Sequence, residues 1–197
     1  DGNNIYDSRD NCNAIIESQT NTLKVGCQNT IIPNSVTDIG MRAFSHCFPL
    51  TSIIIPQSVT NIEKEAFMSC ISLRSITLPD SVTSIEESAF YNCLSLTSAT
   101  LGSSVMSIES KAFSECNLLD TIYCYATTPP ELLDNEVFSN YDAILYVPCE
   151  ALEAYKADTI WGMFSNIQCI EEPTPPCENV DTTEYATICY GETYTWN

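Results

Sequence analysis

Leu73 to Ser95 reads LRSITLPDSVTSIEESAFYNCLS, and its skeleton recurs without gaps at Cys27 to Pro49 (CQNTIIPNSVTDIGMRAFSHCFP), Leu50 to Ser72 (LTSIIIPQSVTNIEKEAFMSCIS) and Leu96 to Leu118 (LTSATLGSSVMSIESKAFSECNL). The shared pattern is L-x-x-I-x-I/L-P-x-S-V-x-x-I-x-x-x-A-F-x-x-C, with a period of 23 residues. A unit this short has too few apolar anchors to enclose a core alone, so successive copies must stack and bury each other's faces. The fourth and sixth positions of a unit (Ile53 and Ile55, Ile76 and Leu78, Ala99 and Leu101) share one parity, as a strand with one buried side requires. Pro33, Pro56 and Pro79 then end the strand, because proline donates no ladder hydrogen bond. The S-V-x-x-I-x-x-x-A-F-x-x-C remainder loses the alternation and predicts an arc of tight turns with one helical or 3₁₀ turn. The expected fold class is therefore an α/β solenoid with a parallel sheet on its concave face and short turns on its convex face.

The flanks predict caps. AIIES (Ala14 to Ser18) and TLKVG (Thr22 to Gly26) around Gln19-Thr20-Asn21 predict a β-hairpin within an N-terminal cap over 1–26. Pairing Ser18 with Thr22 would bring Cys12 beside Cys27 and predicts a disulfide between them. The four repeats occupy 27–118. Beyond them, residues 119–172 predict an irregular last repeat and a C-terminal cap, with one helix in CEALEAYKAD (Cys149 to Asp158) and with Trp161, Met163 and Phe164 covering the last coil. Pro173-Thr174-Pro175-Pro176 predicts a stiff linker, and 173–197 as a whole that linker plus the start of a truncated β module.

Composition narrows the function. Of 197 residues, 44% are apolar, enough for a real core, and 7 Lys and Arg against 26 Asp and Glu leave a net charge of −19. Such a field repels phosphate backbones and anionic lipid surfaces, so neither nucleic acid nor direct membrane insertion is expected. The opening run DGNNIYDSRDN is polar, so an export signal is expected to have been removed or to lie outside this sequence. Eleven cysteines do not form one framework. Cys47, Cys70, Cys93 and Cys116 share one repeat position and predict a column of free, buried thiols. Cys12, Cys27, Cys124, Cys149, Cys169, Cys177 and Cys189 lie in or beside the terminal segments, where bridges fit better.

The pattern and its flanks (YDSRDNCNAIIES before the repeats; YATTPP and LYVPCEALEAYKA after them) resemble the BspA-like leucine-rich repeat surface proteins, Bacteroidales members included. The tail TICYGETYTWN is similar to part of a short module of long secreted proteins from the same group. The resemblance implies a curved right-handed solenoid and export to the surface, secreted or attached to the outer membrane. It also implies adhesion to a host matrix or mucosal protein or glycan, or to a bacterial surface component. Gly102 in place of Pro, Ala99 in place of Ile and Cys27 in place of Leu depart from the pattern without undoing it.

Catalytic chemistry is not expected. The sole histidine, His46, adjoins Cys47, but repeat phase puts His46 at a variable outward position and Cys47 in the buried column, whereas a Cys/His nucleophile needs contact between them. No GxSxG, HExxH, glycine-rich phosphate loop or CxxC pair is present, and neither cofactor nor metal is expected. Glu63, Glu86 and Glu109 share a repeat position; calcium bridging is conceivable there, but one carboxylate per coil fits a solvated, mildly repulsive face better. The informative surface is the outward strand face, led at its open end by Asn29 and Ile31 and comprising Ser52, Ile54, Ser75, Thr77, Ser98, Thr100, Thr121, Tyr123 and Tyr146. It is small, hydroxyl-rich and uncharged on an acidic chain. Six strands would make roughly 500 Å² of face, below the ~800 Å² per partner of a standard interface, so tight adhesion would need multivalency. The expected function is a non-catalytic adhesin-like binding module, monomeric when isolated; the alternative is a structural spacer that projects another domain.

Overall fold

The computed structural model describes residues 5–170, and the linker and truncated module read into 173–197 lie outside the described residues. Each regular coil crosses three hydrogen-bonded sides. The first is the expected parallel sheet, with five strands: Ser75–Thr77, Ser98–Leu101, Thr121–Cys124, Ile144–Val147 and Asn166–Cys169. Its register repeats the sequence period, with Ser75 opposite Ser98, Ser98 opposite Thr121, and Ile144 opposite both Thr121 and Asn166.

The second side corrects the sequence reading. The V-x-x-I stretch, expected as turns, forms a second parallel ladder of two-residue strands: Asp38–Ile39, Asn61–Ile62, Ser84–Ile85, Ser107–Ile108 and Glu131–Leu132. A tight turn after each proline, such as Val82 N–H donating to Pro79 O at 3.1 Å, redirects the chain into this side. Two residues are too few for alternation to show in a sequence.

The third side is the A-F-x-x-C arc, and it holds no helical turn. Arg42, Glu65, Ser88 and Lys111 before each Ala-Phe, and His46, Ser69, Asn92 and Glu115 after it, all have φ of 57 to 61°. With these left-handed residues four apart, every second N–H of the arc points along the stack. Phe44 N–H donates to Ala66 O (2.7 Å), Phe67 to Ala89 O (2.7 Å) and Phe90 to Ala112 O (2.8 Å). Left-handed non-glycine residues cost about 1 kcal/mol each, and intercoil bonds of similar individual worth offset them.

Inside, columns of identical residues stack. Phe44, Phe67, Phe90, Phe113 and Phe138 follow one another at centroid spacings of 4.9 to 5.4 Å with rings within 8° of parallel. Cys70, Cys93 and Cys116 are free and buried; their thiols donate to the carbonyls of Phe44, Phe67 and Phe90 one coil back, at 3.2, 3.3 and 3.1 Å. Burial pushes the Cys70 thiol up to about 12. Cys47, the first of the column, is only half-buried.

At the N-terminal end the hairpin forms, but with Glu17 rather than Ser18 opposite Thr22 and a register shift between Ile15 and Ile16. It continues the second ladder through Thr22–Val25 beside Asp38–Ile39. The predicted Cys12–Cys27 bridge is absent: both thiols are free, Cys12 turned inward toward Ala14 O (3.7 Å) and Cys27 exposed beside Asn13 O (3.5 Å). The first two coils also contribute no strand to the five-stranded sheet, so Asn29, Ile31, Ser52 and Ile54 are not part of its face. Ile31 donates its N–H to Cys12 O (3.0 Å) instead of to the next coil, and the second coil reaches the third here through Arg74 N–H to Thr51 O (3.3 Å).

At the other end, a 3₁₀ turn at Cys149–Ala151 and the helix Leu152–Ala157 carry Tyr155 over the last coils, with Trp161 close behind. Both aromatics are fully buried. Tyr155 donates its hydroxyl proton to Ala126 O (2.9 Å), leaving its oxygen to accept from Cys124 (3.2 Å), and Trp161 Nε1–H donates to Pro130 O (2.8 Å). A disulfide joins Cys149 to Cys169 across a Cα separation of 4.5 Å.

Phe67 is stacked on both faces, so Phe67→Ala should lower unfolding stability by about 3–5 kcal/mol, and Phe67→Leu by distinctly less. Urea titration followed by circular dichroism measures both.

Candidate binding face

The outward side chains of the five-stranded sheet form two rows. One runs Ser75, Ser98, Thr121, Ile144, Asn166, and the other Thr77, Thr100, Tyr123, Tyr146, Gln168. No position in either row is charged. Alternation along each strand places them: Ile76, Ala99, Ile122 and Leu145 point inward and are at most 2% exposed, so their neighbours must point outward. Seven of the nine residues singled out from the sequence therefore meet on one surface. Ser52 and Ile54 lie outside the five strands, and Ile54 is 86% exposed. Ile144, Asn166 and Gln168 were missed. The alternation in Asn166-Ile167-Gln168-Cys169 was the available signal, hidden within a segment read as a cap.

Tyr123 and Tyr146 stack at 4.8 Å with rings 11° apart. Rings stacked along the sheet stand upright from it, covering each other's inner faces. The outer face of Tyr123 thus forms a wall above the low floor of Thr100, Thr77, Ser98 and Ser75, and that of Tyr146 one above Gln168.

The side-chain hydroxyls of Ser75, Thr77, Ser98, Thr100, Tyr123 and Tyr146 have no hydrogen-bond partner among the described residues. Thr121 bonds only its neighbour Asp120 (3.0 Å), and Gln168 Nε2 donates to Asn166 Oδ1 (3.0 Å). The second ladder is the opposite. Ser84 Oγ donates to Asn61 Oδ1 (2.6 Å), whose Nδ2 donates to Asp38 Oδ1 (2.9 Å), while Thr60 and Thr83 donate to the carbonyls of Thr37 and Thr60 (both 3.3 Å). One polar side satisfies itself; the other is left open.

A model of the BspA-type leucine-rich repeat region matches residues 15–145 in six copies. The chain belongs to the BspA-type leucine-rich repeat family. The family is described as a leucine-rich repeat region, and no enzyme family is indicated. Among solved structures, the T. pallidum leucine-rich repeat protein is 22% identical with a TM-score of 0.56, over 74% of this chain and 68% of that one. The pneumococcal vaccine antigen PcpA is 18% identical with a TM-score of 0.58, over 88% of this chain and 49% of that one. A leucine-rich cell surface protein from Faecalibacterium prausnitzii is 27% identical over 61% of this chain and 39% of that one, with a TM-score of 0.47. The first two likenesses support the fold. A comparison with curated proteins finds no match.

In this BspA-type stack the other candidate positions are structural. His46 is exposed, its Nδ1 within 2.9 Å of Ser45 Oγ, and no hydrogen bond joins it to Cys47. Glu63, Glu86 and Glu109 are not merely solvated: each accepts a backbone N–H from the coil before, from Met41 (2.8 Å), Lys64 (2.9 Å) and Glu87 (3.1 Å). Among the described residues no cluster of three His, Cys, Asp or Glu could hold a metal ion. No helix among them is long and apolar enough to cross a membrane.

Burial raises the Glu86 carboxyl above the usual glutamate range, opposed by its bond from Lys64 and supported by Glu63 and Glu109. The folded state therefore binds a proton more tightly there than the unfolded chain, and stability declines as pH rises through the interval between the two values. Glu86→Gln, which keeps an oxygen acceptor, should flatten that decline and be at least as stable as the parent at pH 7. Glu86→Ala should lose about 1 kcal/mol. Thermal unfolding from pH 4 to 8 checks both.

Proposed function

We propose that this chain is a non-catalytic, adhesin-like surface module that captures an uncharged region of an extracellular protein or glycan on the outward face of its five-stranded sheet. The observation that carries the reading is the contrast between two polar sides of one stack. Along the second ladder, Asp38, Asn61 and Ser84 bond in series and Thr60 and Thr83 donate to the preceding coil's carbonyls; on the face, six hydroxyls have no partner among the described residues. Strand-exposed Ser and Thr bond water readily, so unpaired hydroxyls alone are ordinary. Unpaired hydroxyls grouped around an upright aromatic pair form a surface with both hydrogen-bonding and stacking capacity. The net charge of −19 discriminates against acidic partners and makes the uncharged face the least repulsive approach. Five strands bury less than a standard interface, so single contacts should be weak and strengthened by multivalent display.

The test immobilises the purified chain and probes it with neutral glycan arrays and matrix proteins. For any captured component, Thr77→Lys with Thr100→Lys, and separately Tyr123→Ala with Tyr146→Ala, should each cut retention at least tenfold while circular dichroism stays unchanged. Retention unaffected by both pairs removes this face. If this chain captures nothing while a longer form of the protein does, the spacer reading holds.

A further inference from the structure

The cysteine at the twenty-first position of a coil is a buried hydrogen-bond donor in coils two to four, and Cys47 in coil one departs from them. Its thiol has no acceptor among the described residues, and it is half-exposed. Cys27 departs in the same way, standing where Leu50, Leu73 and Leu96 are at most 1% exposed, yet open to solvent.

Geometry holds these two residues on one small patch. Gly26 N–H donates to Ala43 O (2.8 Å), and Gly26 lies so close to the Phe44 ring that any side chain there would collide with it. Cys27 follows Gly26 directly, and a tight turn in which Cys47 N–H donates to Phe44 O (2.9 Å) sets Cys47 three residues beyond the phenylalanine that Gly26 packs against. The two thiols are also electrostatically coupled: burial first, and then Cys27, raises Cys47. The other free thiols among the described residues, Cys12, Cys70, Cys93, Cys116 and Cys124, are all buried. The two accessible free thiols are thus neighbours.

We propose that Cys27 and Cys47 form an oxidation site that closes into a disulfide by exchange with a small-molecule or protein disulfide. The exposed Cys27 thiolate attacks one sulfur of the donor, breaking its S–S bond and releasing one thiolate. Cys47, as thiolate, then attacks the Cys27 sulfur of the mixed disulfide and releases the second. Two protein thiols lose two protons and two electrons, and the donor disulfide is reduced to two thiols. The closed loop would span 47 − 27 = 20 positions, the separation of Cys149 and Cys169 at the opposite end. Both ends of the stack would then carry a covalent staple where columns run out of neighbours.

The full chain, reduced and then exposed to oxidised glutathione, is alkylated and digested with trypsin without reduction. Cleavage after Lys24, Arg42 and Lys64 places Cys27 alone in Val25 to Arg42, Cys47 alone in Ala43 to Lys64, and Cys12 in the separate piece Asp10 to Lys24. Mass spectrometry should find the first two joined, at the sum of their masses less two hydrogens. In Cys47→Ser, Cys27 should persist as its glutathione adduct; in Cys27→Ser, altered at an exposed site, Cys47 should stay largely unmodified. Cys27 joined to the Cys12 peptide or to any other cysteine, or both thiols ending as separate adducts or alkylated, overturns the proposal.

Discussion

The structure depends on backbone groups finding partners one coil away on all three sides of the stack. Strand spacing is about 4.8 Å, which is also close to the separation at which aromatic rings stack. A side chain that fits at one level must therefore fit against a copy of itself at the next, and the phenylalanine column does so at 4.9 to 5.4 Å. Sequence identity within a column follows from this geometry. The left-handed residues of the arc persist for the same reason, since they aim N–H groups along the stack. Where the period breaks, after Cys124, the extra residues are pinned from outside by Tyr155 and Trp161, each donating to a carbonyl of that segment.

A stack has ends, and every column there loses one neighbour. The N-terminal end meets this with an antiparallel hairpin that extends the second ladder but not the five-stranded sheet, leaving Ile31 and Ile54 exposed at 72% and 86%. Arg9 ties this cap together, pairing with Asp7 (2.6 Å) and donating to Asn21 Oδ1 (3.1 Å). Its guanidinium, with a bond from Ser18, holds the Asp7 carboxyl well below the usual carboxylate range. The C-terminal end adds a strand, Asn166–Cys169, and locks it to the start of the cap by a disulfide.

What was legible in the sequence followed from repetition. Four superimposed units exposed the strand parity and the shared position of the thiols, and the break in the period marked where the flanks begin. Three features were hidden. A two-residue strand such as Ser84–Ile85 has no room to alternate. Left-handed turns formed by Arg42, Glu65 or Lys111 carry no compositional mark, because glycine, the usual signal, is absent. Cys12 and Cys27 are both free in a hairpin that pairs Glu17, not Ser18, with Thr22, and Cys12 points inward to Ala14 O; the disulfide lies instead at the opposite end, between Cys149 and Cys169. The strand positions expected in the first two coils carry no ladder of the five-stranded sheet, because alternation reports which way a side chain points but not whether a neighbouring strand is there to pair with.

Stacking also decides how polarity is distributed over the surface. On two sides, outward groups close circuits between coils: Asp38, Asn61 and Ser84 bond in series, glutamates take backbone N–H groups, and Arg42, Lys64 and Lys111 pair with Glu65, Glu87 and Glu136. A partner docking there would gain little, since each bond it offers replaces one already made. On the five-stranded face the hydroxyls of Ser75, Thr77, Ser98, Thr100, Tyr123 and Tyr146 have no partner among the described residues, so a binder that supplied matching donors and acceptors would displace nothing internal. One that covered them without matching would strand buried polar groups at about 1–3 kcal/mol each. On the proposed reading, the same open hydroxyls that would admit a ligand would penalise a wrong one, giving a shallow face selectivity that its area alone would not supply.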